Sequence, residues 1–271
     1  MKMEELKIFD LENKEKGSIK LPKQFEECIR PDLIKRSVLA IQSHKRQPYG
    51  ASPEAGKRAS AVISKRRQSY RTSYGLGISR SRRKILSRRG TRMNWVGAFS
   101  PETVGGRRAH PPKAEKIWWQ KINKKERKKA IRSAIAATID KALVEKRGHK
   151  TPDKYPFAID TSIENIDKTK KAKDTLIKLG LKEELKRTEN KKIRAGKGKS
   201  RGRKYKKKKG PLIVVSKDCR LMKSFANIPG IDICTIKNIN VELLAPGAIP
   251  GRLTLWSIDA IKLLEKEKLF G

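Results

Sequence analysis

The sequence predicts an α/β fold: a mostly parallel or mixed sheet covered by helices, with a long basic internal loop projecting from the globular domain. Three observations lead there. Short β-branched runs alternate with helical patterns through the second half of the chain. The apolar share, 36 % of 271 residues, is too small for the whole chain to join one core. The positive charge is also concentrated: His44–Lys113 holds 18 Lys and Arg against two acids (Glu54 and Glu102), and Lys191–Lys209 holds 12 cations and no acid. These two stretches carry most of a net charge of +40 and leave the remainder looking like an ordinary domain.

"LKIFD" (Leu6–Asp10) and "GSIKLP" (Gly17–Pro22) read as strands. A helix is predicted from Asp32 to about Ser43, with Pro31 before it and Leu33, Ile34, Val38 and Ile41 on one side. The next 70 residues break the scheme, because eight glycines interrupt them and their bulky apolar residues lack sustained periodicity. Asn123 with Glu126 three residues on resembles a capping box, so one helix is predicted to run from there to Gly148. Its stripe of Ile131, Ile135, Ile139 and Leu143 is core packing. Then come a strand in Pro156–Asp160, helices over Lys170–Leu179 and Leu181–Thr188, and a strand in Pro211–Ser216. A helix over Asp218–Ala226, a strand in Ile231–Lys237, a helical turn at Asn240–Leu244, a strand in Arg252–Ser257 and a terminal helix to Lys268 complete the series. The predicted organisation is therefore a globular part, 1–43, an extended basic loop, 44–116, and the rest of the globular domain, 117–271, with a basic insertion at 191–209.

Several function classes are excluded on chemistry. Cys28, Cys219 and Cys234 form no CxxC pair, so no metal site is expected. "GKGKS" (Gly196–Ser200) has Ile193 where a phosphate loop needs its first glycine, and "GLG" (Gly75–Gly77) lacks the third glycine of a dinucleotide fingerprint. No cofactor is expected. The three histidines (His44, His110, His149) accompany no nucleophile or convergent acid pair, and the chain is expected not to be an enzyme. The start "MKMEELKIFD" carries acids where a signal peptide needs an apolar core, and no long apolar span follows. A cytoplasmic protein without a membrane partner is expected.

Charge of this sign and density calls for a polyanion. Aromatic residues interleave with arginines in "RRQSYRTSYGLG" and "RRGTRMNWVGAF", and rings and guanidinium planes stack on unpaired bases while the guanidinium forks grip phosphate. This favours RNA over a merely disordered, soluble loop. The candidate RNA-binding cations are Arg46, Lys57, Arg58, Arg66, Arg67, Arg71, Arg80, Arg82, Arg83, Arg88, Arg89, Arg92, Arg107, Arg108 and Lys113 in the loop, with Lys197, Lys199, Arg201 and Arg203 in the insertion. Tyr49, Tyr70, Tyr74 and Trp95 are the stacking candidates.

Motifs along nearly the whole chain then point further. "RQPYG" (Arg46–Gly50), "AGKRAS" (Ala55–Ser60), "GGRRAHPPKAEK" (Gly105–Lys116), "ERKKAIRSAIAAT" (Glu126–Thr138), "RGH" (Arg147–His149) and "NVELLAPGAIPGRLTLWSIDAI" (Asn240–Ile261) resemble the family of large-subunit ribosomal protein four, in its archaeal form. That resemblance implies a structural constituent of the large ribosomal subunit that binds rRNA and supports assembly. Its α/β domain would lie on the outer side of the subunit, and its loop would reach the polypeptide exit tunnel. It implies as partners the large-subunit rRNA, neighbouring ribosomal proteins including protein twenty-two at the tunnel constriction, and the nascent polypeptide near the loop tip, placed within Ser73–Trp95. In the resemblance-based reading Gly105 and Gly106 let the returning chain pass close to RNA, Arg107 and Arg108 clamp phosphates, and Pro111 and Pro112 stiffen the re-entry. A messenger-RNA regulator and an RNA-modifying enzyme are the competing classes, and the sequence names no acid for the latter.

Overall fold

The computed structural model describes residues 5–55, 58, 61, 63–69, 72–90 and 92–271. Backbone contacts divide the chain into two units, one made of the residues up to Lys45 with Trp119–Gly271, the other of Arg46–Trp118. In chain order the elements are β1 (Glu5–Phe9), β2 (Glu15–Lys20) and α1 (Pro31–His44), then β3 (Arg83–Arg89) and β4 (Arg92–Gly97) in the second unit. The first unit resumes with α2 (Lys124–Ala136), α3 (Lys141–Lys146), β5 (Phe157–Ile159), α4 (Thr169–Lys178) and α5 (Lys182–Glu189). It continues with β6 (Lys191–Ile193), β7 (Tyr205–Lys207), β8 (Leu212–Val215), α6 (Leu221–Phe225) and β9 (Asp232–Thr235), and ends with α7 (Val241–Leu244), β10 (Thr254–Ser257) and α8 (Ile258–Lys266).

The first unit is built on a six-stranded mixed sheet in the order β2-β1-β5-β10-β8-β9, in which β1 and β2 are antiparallel and every other neighbouring pair is parallel. Strands β5, β8 and β10 are buried throughout, as parallel strands covered on both faces must be. Alternation sorts their side chains. Leu212, Val214, Ala158 and Trp256 face one apolar cluster, with Ile34 and Val38 of α1, Ala130, Ile131, Ala134 and Ile135 of α2, and Ile261 and Leu264 of α8. Ile213, Val215, Phe157, Ile159 and Leu255 face the other, with Ala172 and Leu176 of α4, Leu185 of α5, and Leu221 and Phe225 of α6. The helix-covered mixed sheet expected from the sequence is therefore the one observed. At the carboxyl ends of two central strands, the buried Glu164 carboxylate accepts from Ser216 N at 3.0 Å and from the Ser257 hydroxyl at 2.9 Å, tying β8 to β10.

Four local expectations need correction. The single helix over 123–148 is two, α2 and α3. Thr138 turns its hydroxyl back onto Ile135 O at 2.7 Å, and the Asp140 side chain accepts from Leu143 N at 3.3 Å and so starts a new helix. The Asn123–Glu126 pattern is not used as a capping box. The Asn123 side chain caps nothing, and Glu126 instead accepts from Arg36 of α1 at 3.1 Å. The helix predicted over Asp218–Ala226 is confined to Leu221–Phe225. Both basic segments, to which the sequence assigns no strand, contain antiparallel hairpins: β3–β4 in one and β6–β7 in the other.

Candidate nucleic-acid interface

The two ends of the second unit meet. Ala51 N donates to Pro112 O at 2.9 Å, and a side chain at Gly50 would begin 2.3 Å from Ala114 N, so only glycine permits this crossing. Around the crossing, Tyr49 stacks on Trp118, with centroids 5.7 Å apart and planes 19° from parallel. The Arg46 guanidinium lies 3.7 Å from the Trp118 ring centroid, and the Lys116 ammonium lies 4.5 Å from it. Arg46 and Tyr49 were named from the sequence. Trp118 and Lys116 were missed, although the tryptophan pair closing "KAEKIWW" was the available signal.

Further along, Thr72 donates its hydroxyl to Arg66 O at 2.7 Å and Ser73 N donates to Ser64 O at 3.2 Å, closing a turn that leaves the Arg66 and Arg67 side chains exposed. Arg80 lies 4.5 Å from the Tyr74 ring centroid. Arg83 is not presented to solvent as a free fork. It donates to Ser79 O at 2.6 Å, to Ser81 O at 2.9 Å and to the Ser79 hydroxyl at 2.9 Å, and it lies 5.5 Å from the Trp95 ring. Ile85 opposes Trp95 across β3–β4, a bulge follows between Ile85 and Ser87, and Gly90 turns the hairpin at φ +61°. Arg88 Nε donates to Gly90 O at 2.9 Å; Arg82, Arg89 and Arg92 are exposed, and Arg89 stands directly opposite Arg92.

The glycine pair that opens "GGRRAHPPK" serves a turn of the chain itself. Gly106 N donates to Thr103 O at 2.8 Å, and a side chain at Gly106 would begin 1.8 Å from Ser100 O. The close approach that requires glycine is to the chain's own Ser100–Thr103 turn. Gly105, at φ +69°, supplies the left-handed step into it. Beyond the pair Arg107 is half-buried and Arg108 and Lys113 are exposed, as is Arg58 on the outgoing side. Lys57, Tyr70 and Arg71 lie outside the described residues.

The second basic segment is the β6–β7 hairpin, where Lys191 opposes Lys207, Lys192 opposes Lys206 and Ile193 opposes Tyr205. Lys197, Lys199, Arg201 and Arg203 lie exposed in its connection. Its return stem is held by buried groups. Arg252, with no exposed side-chain surface, donates from Nε to Gly210 O at 2.8 Å, from Nη1 to Leu243 O at 2.9 Å and from Nη2 to Asp232 Oδ2 at 2.7 Å. Burial works to raise the Asp232 carboxyl, but Arg252 and Lys209 outweigh it and hold it below its ordinary value. Arg187 donates to Lys209 O at 2.6 Å and grips Glu184 with Nε at 2.7 Å and Nη2 at 2.6 Å. Glu184 also accepts from Lys150 N at 2.9 Å and lies 2.7 Å from His149 Nδ1. Burial pushes the Glu184 carboxyl up, yet bonds from Arg187, His149 and Lys150 bring it below its ordinary value. Burial pushes the His149 imidazole down, against its bond to Glu184 and assisted by Arg187 and Arg147. Arg147 binds Ile249 O and Pro246 O, and burial beside Arg252 and Arg187 lowers it to about 10. The "RGH" motif and Arg252 of the Asn240–Ile261 motif are therefore internal architecture.

The arrangement is a basic α/β scaffold displaying two cation-dense segments. Among the described residues no helix is long and apolar enough to cross a membrane, and no group of three or more His, Cys, Asp and Glu could hold a metal ion. Residues 19–267 match the sequence profile of the ribosomal protein L4/L1 family, and the chain belongs to that family. It is 55 % identical over 267 residues to large ribosomal subunit protein uL4 of Nanoarchaeum equitans, covering 98 % of this chain and 99 % of that one. The uL4 proteins of Methanococcoides burtonii and Archaeoglobus fulgidus are 46 % and 43 % identical, each over 95 % of this chain and 96 % and 97 % of their own lengths.

Proposed function

We propose that the chain is a structural, non-catalytic constituent of the large ribosomal subunit in the cytoplasm. It binds large-subunit rRNA through the 44–116 loop and the 191–209 insertion, and it supports assembly. The part of the loop around β3–β4 borders the exit tunnel beside ribosomal protein twenty-two and the nascent polypeptide. The rRNA contacts fall to the cations and rings picked out from the sequence, with Trp118 and Lys116 added beside Arg46 and Tyr49. Arg83 is the exception, acting on its own loop.

The observation that carries the reading is the pairing of like charges across both hairpins: Arg89 with Arg92, Lys191 with Lys207, and Lys192 with Lys206. Directly opposed like charges destabilise a two-stranded sheet. Neither hairpin contains an acid to relieve them, so a polyanion outside the chain is the neutralising partner. Most contacts position the protein by phosphate and shape. The test is sedimentation of cell lysate followed by ultraviolet crosslinking. The chain is expected in the large-subunit peak, with residues of 46–118 and 191–209 attached to large-subunit rRNA. A chain found in free messenger-RNA complexes and missing from large subunits would refute the proposal.

A further inference from the structure

The β6–β7 hairpin has two unlike faces. Ile193 and Tyr205 are directly opposed and so share a face, and Lys191 and Lys207, two positions along each strand, lie on that same face. Lys192 and Lys206 oppose each other on the reverse face. Ile193 is 64 % exposed and Tyr205 50 % exposed. An apolar side chain and an aromatic ring thus stand in water inside a segment of 12 cations and no acid. The ammoniums of Lys191 and Lys204 lie 5.9 and 5.6 Å from the Tyr205 ring centroid.

The platform is held in place from both ends. Arg194 N donates to Lys204 O at 2.8 Å and Arg203 N to Gly198 O at 3.0 Å, so the connection folds back on the strands. Arg187 and Arg252 fix the return stem at Lys209 O and Gly210 O. Phosphate neutralisation needs only the lysines. It gives no use to a ring and an isoleucine that remain wet in the absence of a partner.

We propose that this face is a stacking platform for one unpaired base of the large-subunit RNA. The base lies on Tyr205 with Ile193 beside it, and Lys191, Lys204 and Lys207 take the flanking phosphates. The inference rests on the rRNA-binding reading above and refines it: the hairpin selects a single-stranded position by stacking, rather than duplex by charge alone.

The test uses the full-length chain bound to large-subunit rRNA, comparing wild type with Tyr205→Ala, Tyr205→Phe and the double variant Lys192→Gln/Lys206→Gln. Base-modification probing and filter binding over a salt series are the readouts. Tyr205→Ala is expected to expose one or two nucleotides and to weaken binding roughly five- to a hundredfold, the range for loss of one stacked base, without changing the salt slope. Tyr205→Phe retains the ring and should behave as wild type. The double lysine variant should flatten the salt slope and leave the same nucleotides protected. If Tyr205→Ala matches wild type, or Tyr205→Phe loses the protection too, the platform is overturned while rRNA binding stands. If wild type protects no nucleotide, the underlying reading fails instead.

Discussion

Replacing Arg252 by methionine tests whether the buried arginine is what holds the root of the basic hairpin. The side chain donates three well-formed bonds, to Gly210 O, Leu243 O and Asp232 Oδ2, from a site with no solvent access. Methionine keeps most of the packing and leaves those acceptors without their donor. A charge-assisted bond contributes about 1.5–3 kcal/mol, and breaking a buried ion pair costs about 3–5 kcal/mol when the remaining charge is orphaned. Asp232 is not orphaned, because Lys209 Nζ stays within 2.9 Å of it. The loss should therefore lie near the lower end, about 3 kcal/mol. Urea unfolding followed by far-ultraviolet circular dichroism should show a lower midpoint at unchanged slope, and the Gly210 amide, which donates to Gly230 O at 2.8 Å, should exchange faster. A variant within about 1 kcal/mol of wild type, with Gly210 as protected as before, would refute the assigned role.

Two further outcomes follow from buried or crowded groups. Glu184 is held below its ordinary value, so its stabilisation is present above about pH 4.5 and is lost as pH falls through the lowered value. His149 is also lowered, so stability declines as pH falls from about 6.5 and the buried imidazole is forced to charge. Glu184→Gln should be less stable by about 1–3 kcal/mol at pH 7, and the gap should shrink below pH 4.5 in urea titrations. A gap independent of pH would contradict the assignment. Gly106→Ala places a Cβ 1.8 Å from Ser100 O and must open the Ser100–Gly106 turn. Overpacking of about 1–3 kcal/mol should speed amide exchange at Gly106 by roughly tenfold or more, with the six-stranded sheet unchanged. Unaltered exchange there would mean that the turn does not require glycine.

The elements that were legible in the sequence are those whose signals are local. Three of the four residues of strand β8 are β-branched, and α4 and α5 are parted by Gly180 at φ +84°. What was hidden depends on partners far along the chain. His149 and Glu184 are 35 residues apart and Arg252 and Gly210 are 42 apart, so "RGH" and the Asn240–Ile261 stretch were recognisable as motifs while the burial of His149 and Arg252 was not. The hairpins were hidden for another reason. In β3–β4 the alternation of Met93 and Trp95 is present, but consecutive arginines and a bulge blur the period of two. In β6–β7 only Ile193 and Tyr205 break a run of cations, too few to mark a strand. The cluster of Arg46, Tyr49 and Trp118 needed the ends of the second unit to meet, which residue order alone does not show.

The same cations therefore divide by neighbourhood rather than by type. In the first unit, outside the β6–β7 hairpin, several acids are matched to bases: Glu27 to Arg132, Asp160 to Lys16, Glu184 to Arg187, Asp232 to Arg252. Carbonyls take much of what remains, as Pro246 and Ile249 do from Arg147. Such arginines are committed to the fold, and no further anion is needed to stabilise them. The second unit has three acids, Glu54, Glu102 and Glu115, across 46–118, and the β6–β7 hairpin has none. There the cations satisfy themselves on rings and on their own backbone, Arg46 on Trp118, Arg80 on Tyr74, Arg194 on Arg203 O. Those are weak, solvent-facing arrangements, about 0.5–1 kcal/mol for an exposed cation on a ring, against roughly 1.5–3 kcal/mol for a charged bond to phosphate. The exchange favours the phosphate, and the ring released by the cation becomes a surface on which a base can stack. A scaffold that pairs its buried charges internally, beside two cation-dense segments with few or no acids, fits the proposal that part of the protein keeps its shape on its own and part takes its final contacts from RNA.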